Sequence, residues 1–285
     1  MSRVKHIPVM YKEVLYYTNP TYKLVFDGTV WHGGHSKLLL EKFNNLSILA
    51  VDRDPNIIEI AKENLKNYKD RVKFVRASYG ELETILKWEK VDMFLLDLWV
   101  NMEHFKDASR WFSIKKEGPL DMRFDTNQKI TALYILKNYN QGQLESIFEK
   151  WWDFKWKLLQ DIVRVIIKSK HKLKTTFDLK NALKTIKLSD KKIAVVFQSL
   201  RIEVNQELKQ LEMFLDKFGN YLNLGWRCQI ITYHSIEDRL VKNKFKELDK
   251  KWFKNLTKKV IFPTLDEIAN NKASRSAKLR IIEKI

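Results

Sequence analysis

The sequence contains a single cysteine, Cys228, among 285 residues. A lone thiol excludes an internal disulfide and leaves no cysteine cluster for a metal, so a reducing cytoplasm is the expected location. Long apolar runs are missing as well: none approaches the roughly 18–20 residues that cross a bilayer. The opening stretch, Met1 to Pro8, has no apolar segment of the kind a secretory signal needs. Glycine is scarce. There are 8 glycines, where average usage would give about 20 in a chain of this length. Tryptophan, with 9, outnumbers it. A fold with tight turns at its strand ends should not be so poor in glycine.

What is present is a globular composition, 45% hydrophobic and 31% charged, enough for one large domain or two ordinary ones. Lys and Arg number 53 against 35 Asp and Glu, a net charge of +18. Lysine dominates that excess and is spread along the chain, which suits tracking a phosphate backbone better than a discrete basic tail does. A plain solubility role for the charge stays open beside that reading.

The first hundred residues alternate short apolar runs with helical patterns, the signature of βαβ units and a doubly wound α/β sheet. Strands are expected at Leu24–Phe26, Ser47–Val51, Val72–Val75 and Val91–Leu96, with helices over Ser36–Phe43 and from Pro55 towards Leu65. From about 105 to 218 the strand signal fades. Helical patterns follow at about 127–138, 143–150, 154–168, 176–186 and 197–218. A strand at Gln229–Tyr233 and a helix from Ser235 restore the first pattern. The expected organisation is an α/β domain of residues 1–104 and 219–285 interrupted by an all-helical insert, 105–218.

Doubly wound folds bind nucleotide-like ligands at the carboxyl ends of their strands. Asp27-Gly28-Thr29-Val30-Trp31-His32-Gly33-Gly34-His35-Ser36 occupies the first such junction. It has neither the G-x-G-x-x-G spacing of dinucleotide sites nor a Walker lysine, so it suits a nucleoside ligand without phosphates, such as S-adenosylmethionine. A plain turn accounts for the glycines almost as well. His32 and His35 lack further metal ligands and read as loop residues, with no metal site expected. At the end of the second strand, Asp54 before Pro55 has the form of a helix cap, which leaves Asp52 to accept the two ribose hydroxyls of an adenosine. Tyr79 lies where it would flank an adenine, or serve as a core aromatic. Asp97 closes the fourth strand, where a carboxylate would orient an amine and accept its hydrogen.

The same segments resemble a known family, the bacterial small-subunit ribosomal RNA cytosine-N4 methyltransferases of the RsmH or MraW type. Asp27 to Ser36 is similar to its D-G-T-x-G-x-G-G-H-S loop, and Val51 to Pro55 to its D-R-D-P turn. Gly118-Pro119-Leu120-Asp121-Met122-Arg123-Phe124-Asp125 resembles G-P-L-D-M-R-x-D. Phe197 to Ile202 with Asn205 and Glu207 is similar to F-Q-A-L-R-I-x-x-N-x-E-L. Tyr233-His234-Ser235-Ile236-Glu237-Asp238-Arg239 resembles F-H-S-L-E-D-R, and Arg275 to Arg280 the closing R-S-A-K-L-R. The opening His6 to Met10 with Glu13-Val14-Leu15 fits too, so seven motifs follow in family order.

The resemblance implies a class I methyltransferase sheet of Rossmann-like form with S-adenosylmethionine as cofactor. Gly33, Gly34, His35, Asp52, Tyr79, Asp97 and His104 fall at its cofactor positions, although His104 replaces the usual glutamine. It implies that the helical insert helps to hold RNA. The partner would be 16S ribosomal RNA or the small ribosomal subunit, and the product N4-methylcytidine; a monomer and a homodimer fit equally. Asp97 is the first candidate for catalysis, followed by Asp121, Arg123, Asn205, Glu207 and His234. The two prolines and aromatic that follow the fourth-strand acid in general amino-methyltransferases are missing after Asp97, which counts against a DNA substrate.

One departure recurs. Trp31, Trp99, Trp111, Trp152 and Trp226 stand where the family's motifs have glycine. Glycine GGA and UGA differ by one base, and UGA is read as tryptophan in some codes and as glycine in others. The pattern implies UGA codons that mean glycine in the organism but are written here as tryptophan, which would also explain the composition. The competing reading is genuine tryptophans in a homologue that has lost cofactor binding and persists as an RNA-binding or ribosome-assembly protein.

Overall fold

The computed structural model describes residues 7–98, 116–151, 156–249 and 251–285. Two compact units emerge, one of Met1–Trp99 with Leu208–Ile285 and the other of Val100–Glu207.

The first unit is built on a seven-stranded sheet. Its strands are β1 (Leu24–Asp27), β2 (Ser47–Asp52), β3 (Val72–Arg76), β4 (Val91–Asp97), β5 (Leu222–Thr232), β6 (Phe253–Asn255) and β7 (Lys278–Lys284), in the spatial order β3-β2-β1-β4-β5-β7-β6. The first five run parallel, and β7 returns antiparallel against β5 with Cys228 opposite Ile282. All seven residues of β4 are buried, as expected of a central strand covered on both faces. In edge strand β3 Val72, Phe74 and Val75 are half-buried and Lys73 and Arg76 exposed. The chain order reverses between β1 and β4, which makes their carboxyl ends the switch point of the sheet.

Helices α1 (Tyr11–Tyr16), α2 (Gly34–Lys42), α3 (Pro55–Asn64) and α4 (Leu82–Leu86) accompany the parallel strands. Pro55 sits at the start of α3, and the Asp54 carboxylate caps it by accepting from Asn56 N at 2.9 Å. One face of the core joins Val25, Leu39, Ile48, Met93, Leu95, Ile231 and Ile281.

The second unit is helical among its described residues: α5 (Ala132–Asn138), α6 (Gln141–Trp151), α7 (Trp156–Ser169), α8 (Thr176–Lys184) and α9 (Asp190–Asn205). In α7 the buried residues Leu159, Ile162, Val163 and Ile166 repeat at helical spacing and form one apolar stripe. Thr175 and Asp178 close a reciprocal capping box at the start of α8.

The single helix expected over 197–218 is two. Gln206 takes a left-handed conformation, φ +49°, and separates α9 from α10 (Glu207–Lys217). The α/β unit accordingly resumes at Leu208 and not at 219. The physical reason is aromatic: Phe214 of α10 packs edge-on to Phe94 of β4 at 5.2 Å and stacks on Phe218 at 5.6 Å. After β5 come α11 (Ser235–Leu248) and α12 (Leu265–Asn270).

Candidate active site

Three aspartates end three adjacent parallel strands: Asp52 on β2, Asp27 on β1 and Asp97 on β4. All are buried. The loop after β1 closes over them because its backbone is tied to both neighbours. Gly28 N donates to Leu95 O at 3.0 Å, Val30 N to Val51 O at 3.1 Å, and Gly33 N to Val30 O at 2.7 Å. Gly33 has φ +77° and precedes α2, so its left-handed turn is one that glycine adopts without strain. At Gly28 a Cβ would collide with Leu96, Phe26 and Tyr79, which fixes how closely this loop lies on the sheet.

Asp27 serves the loop. Its Oδ2 accepts from Ser36 Oγ at 2.6 Å, and its Oδ1 accepts from Thr29 N at 3.4 Å. His35, in the first turn of α2, places Nε2 at 2.9 Å from Val9 O. A carbonyl only accepts, so that nitrogen carries the proton. Burial lowers the His35 pKa and keeps the ring neutral, with Nδ1 facing Asp97 Oδ2 at 3.9 Å.

Asp52 holds its carboxylate beside the same loop. Oδ1 accepts from Asp54 N at 3.0 Å and Oδ2 from Trp31 N at 3.4 Å. Burial pushes its pKa up to about 7, against the partial relief of these backbone donors and with some added repulsion from Asp54.

Asp97 is fixed from several directions. Its N–H donates to Thr29 Oγ1 at 2.7 Å, its carbonyl accepts from Trp31 Nε1 at 3.0 Å, and its Oδ1 accepts from Tyr233 OH at 2.8 Å. The Trp31 indole thus reaches from the β1 loop to the end of β4, over the strand ends where such a sheet takes its ligand. Tyr79, beyond β3, packs edge-on against Phe214 at 6.0 Å. His234 precedes α11, and the buried Glu237 accepts from both Tyr233 N and His234 N at 3.0 and 3.2 Å.

The remaining expected catalytic residues cluster in the helical unit. Arg123 makes a two-pronged ion pair with Asp121, both contacts 2.7 Å, and also donates to Thr126 O and Gln128 O. Asn205 is fully buried and clamps the same loop: it accepts from Phe124 N at 2.8 Å and donates to Met122 O at 2.7 Å and Arg201 O at 2.9 Å. Glu207 pairs with Arg201 at 2.8 and 3.0 Å. The structure therefore gathers Gly33, Gly34, His35, Asp52 and Asp97 at one sheet edge, and Asp121, Arg123 and Asn205 at one loop. His104, Trp99, Trp111 and Trp152 lie outside the described residues. Among the described residues, no group of His, Cys, Asp and Glu has the arrangement of a metal site.

Sequence reasoning passed over Thr29, Ser36 and the Tyr233 hydroxyl. The first two are ordinary capping types inside a recognised loop. Tyr233 closes an apolar strand pattern, and nothing local points its hydroxyl at Asp97, 136 residues away.

The sheet edge is the setting for three comparisons with known proteins. The sequence profile of the MraW methylase family matches residues 3–285. The "Ribosomal RNA small subunit methyltransferase H" of Kosmotoga olearia is 37% identical over 292 residues, covering 98% of this chain and 97% of that protein. Its namesake from Petrotoga mobilis is 39% identical, covering 96% and 99%. A crystal structure described as a putative rRNA-methylase from Clostridium thermocellum is 12% identical, covers 98% of this chain and 100% of the other, and superposes with a TM-score of 0.48.

Proposed function

The chain belongs to the MraW methylase family, and from that membership and the geometry of the strand ends we propose that it methylates the exocyclic N4 of a cytidine in 16S ribosomal RNA. It is an S-adenosylmethionine-dependent ribosomal RNA methyltransferase. The proposed substrate is the 16S RNA of the small subunit, met in the cytoplasm.

The observation that carries the reading is the row of buried carboxylates under a loop pressed close to the sheet. These residues fit the cofactor. Asp52, with one oxygen near Trp31 N and the other near Asp54 N, would accept the ribose hydroxyls. Tyr79 would border the adenine, and the Gly33-Gly34 turn would let the methionine portion approach the backbone. Trp31 is the exception, since its indole fills space above Asp97. When bound, the cofactor supplies an electrophilic methyl group on a sulfonium.

Asp97 would do the positioning. A cytosine amine is a weak nucleophile whose lone pair must point at the methyl carbon, so a fixed carboxylate accepting one amine hydrogen aligns it and takes the proton as the new C–N bond forms. His35 beside Asp97 is held neutral by burial, with Nδ1 at 3.9 Å from Asp97 Oδ2. In the helical unit, Asp121 and Arg123 are paired with each other and brace the loop they share, so their part in holding RNA would be to fix the shape of that loop. No observation favours the rival reading of an RNA-binding protein without activity.

The test is incubation of the purified chain with methyl-labelled cofactor and small-subunit RNA or particles, followed by nucleoside analysis. Label in N4-methylcytidine, lost in Asp97→Ala, is the expected result. Label on another base or another atom would overturn the substrate assignment.

A further inference from the structure

We infer that Tyr233 is a positioning residue for methyl transfer: its hydroxyl fixes the rotamer and the basicity of the Asp97 carboxylate. The inference rests on the role proposed for Asp97. Tyr233 follows β5 immediately, so the sheet itself delivers its ring to the end of β4, where Asp97 is paired with Ile231. The hydroxyl donates to Asp97 Oδ1 at 2.8 Å, and both side chains are buried. With Oδ1 so engaged, Oδ2 is the oxygen turned towards His35. The χ2 torsion of an aspartate has little preference of its own, so a directed donor such as this phenol favours one orientation of the carboxylate, and Thr29 and Trp31 hold the backbone of the same residue.

The phenol is suited to this. Burial, then the Asp97 charge, raises its own pKa well above the ordinary value for tyrosine, so it remains a donor throughout the working range. The buried ring packs as part of the fold, and its oxygen makes the contact with Asp97. Tyr233→Phe removes only that oxygen.

Among the described residues, the titratable groups facing the pair include His35 from α2, Asp27 from β1, Glu237 from α11 and Glu267 from α12. None is altered in the variant. Losing one hydrogen bond to a charged acceptor should lower kcat by about tenfold and move the acid limb of its pH profile up by about one unit. The KM for S-adenosylmethionine should stay within about twofold, because the lost contact acts on the accepting carboxylate. A merely structural tyrosine would change melting temperature but not the acid limb. If Asp97→Asn is inactive while Tyr233→Phe keeps both the wild-type kcat and the wild-type acid limb, the inference fails and the Asp97 reading survives. If Asp97→Asn is itself fully active, the Asp97 reading fails. Should Tyr233→Phe not fold well enough to assay, a double-mutant cycle in stability decides: the loss caused by Tyr233→Phe should shrink in the Asp97→Asn background, and equal losses in both backgrounds would overturn the pairing.

Discussion

Burial governs what Asp52 does with pH. Its pKa rises from 3.8 to about 7, so the folded chain prefers the protonated form up to that point. The stability this preference gives is complete below 3.8 and is lost as pH rises through about 7. The ionised form, the better acceptor for ribose hydroxyls, gains population over the same window. Affinity for S-adenosylmethionine should therefore rise about tenfold between about pH 6 and about pH 8. Calorimetry on Asp52→Asn should show a flat profile and binding weaker by about 1.5–3 kcal/mol than the wild type at about pH 8. A wild-type profile without slope would show that the carboxylate takes no part. Trp31 raises a different residue-scale question. It sits at φ +50°, a torsion costing a side-chain-bearing residue about 1–2 kcal/mol, and Trp88 sits at φ +80° with its side chain largely exposed. Glycine would relieve both. Trp31→Gly should tighten S-adenosylmethionine binding by at least about tenfold, as the indole leaves the strand ends. Mass spectrometry of the peptide spanning position 31 from the source organism would show glycine if the codon reading holds; tryptophan there would end it.

Elements were legible where one physical signal dominated. Four of the five parallel strands hold an apolar run that ends in aspartate or threonine, and β3, which ends at Arg76, is the exception; the strand ends at Asp27, Asp52 and Asp97 were readable from that pattern. The end of the sheet was not legible. In β7, Lys278-Leu279-Arg280-Ile281-Ile282-Glu283-Lys284, charges flank the apolar pair, and Arg280 is buried only because Asp238 accepts from it at 2.7 Å across 42 residues. No local pattern reports such a partner. The break at Gln206 was hidden for the same reason, since neither glycine nor proline marks it. What replaces a breaker is Asn205, whose side chain is given over to holding the loop of Asp121 and Arg123. Asn205→Ala removes the buried hydrogen bonds to the Phe124 N–H and the Met122 carbonyl. Chemical denaturation should register a loss of about 3 kcal/mol, and a loss below about 0.5 kcal/mol would show that the loop does not depend on this clamp.

For the whole molecule, the charge of +18 becomes specific once the lysines are placed. Lys168 in the last turn of α7 is followed by lysine at 170, 172 and 174 in the turn to α8, with Leu173 buried between the exposed Lys172 and Lys174. The apolar residue anchors the turn, which leaves Lys172 and Lys174 exposed close in sequence to Lys168. Backbone contacts to Leu120 and a bridge between Pro119 and Thr175 attach that turn to the loop of Asp121. A methyltransferase acting on structured RNA needs sequence-independent attraction to bring the strand in, and each phosphate neutralised releases counterions. If about six phosphates are engaged, affinity for small-subunit RNA should fall about 10³-fold between about 50 and 200 mM salt. Replacing Lys168, Lys172 and Lys174 together with alanine should flatten the log–log slope by about 2, close to 0.7 for each lost contact on single-stranded RNA. The cofactor affinity of that variant should not change, because all three lysines belong to the helical unit and the cofactor residues to the sheet. A variant with the parent's slope would remove this turn from the RNA-binding surface. A parent chain with no salt dependence would leave the positive charge without a role in holding RNA.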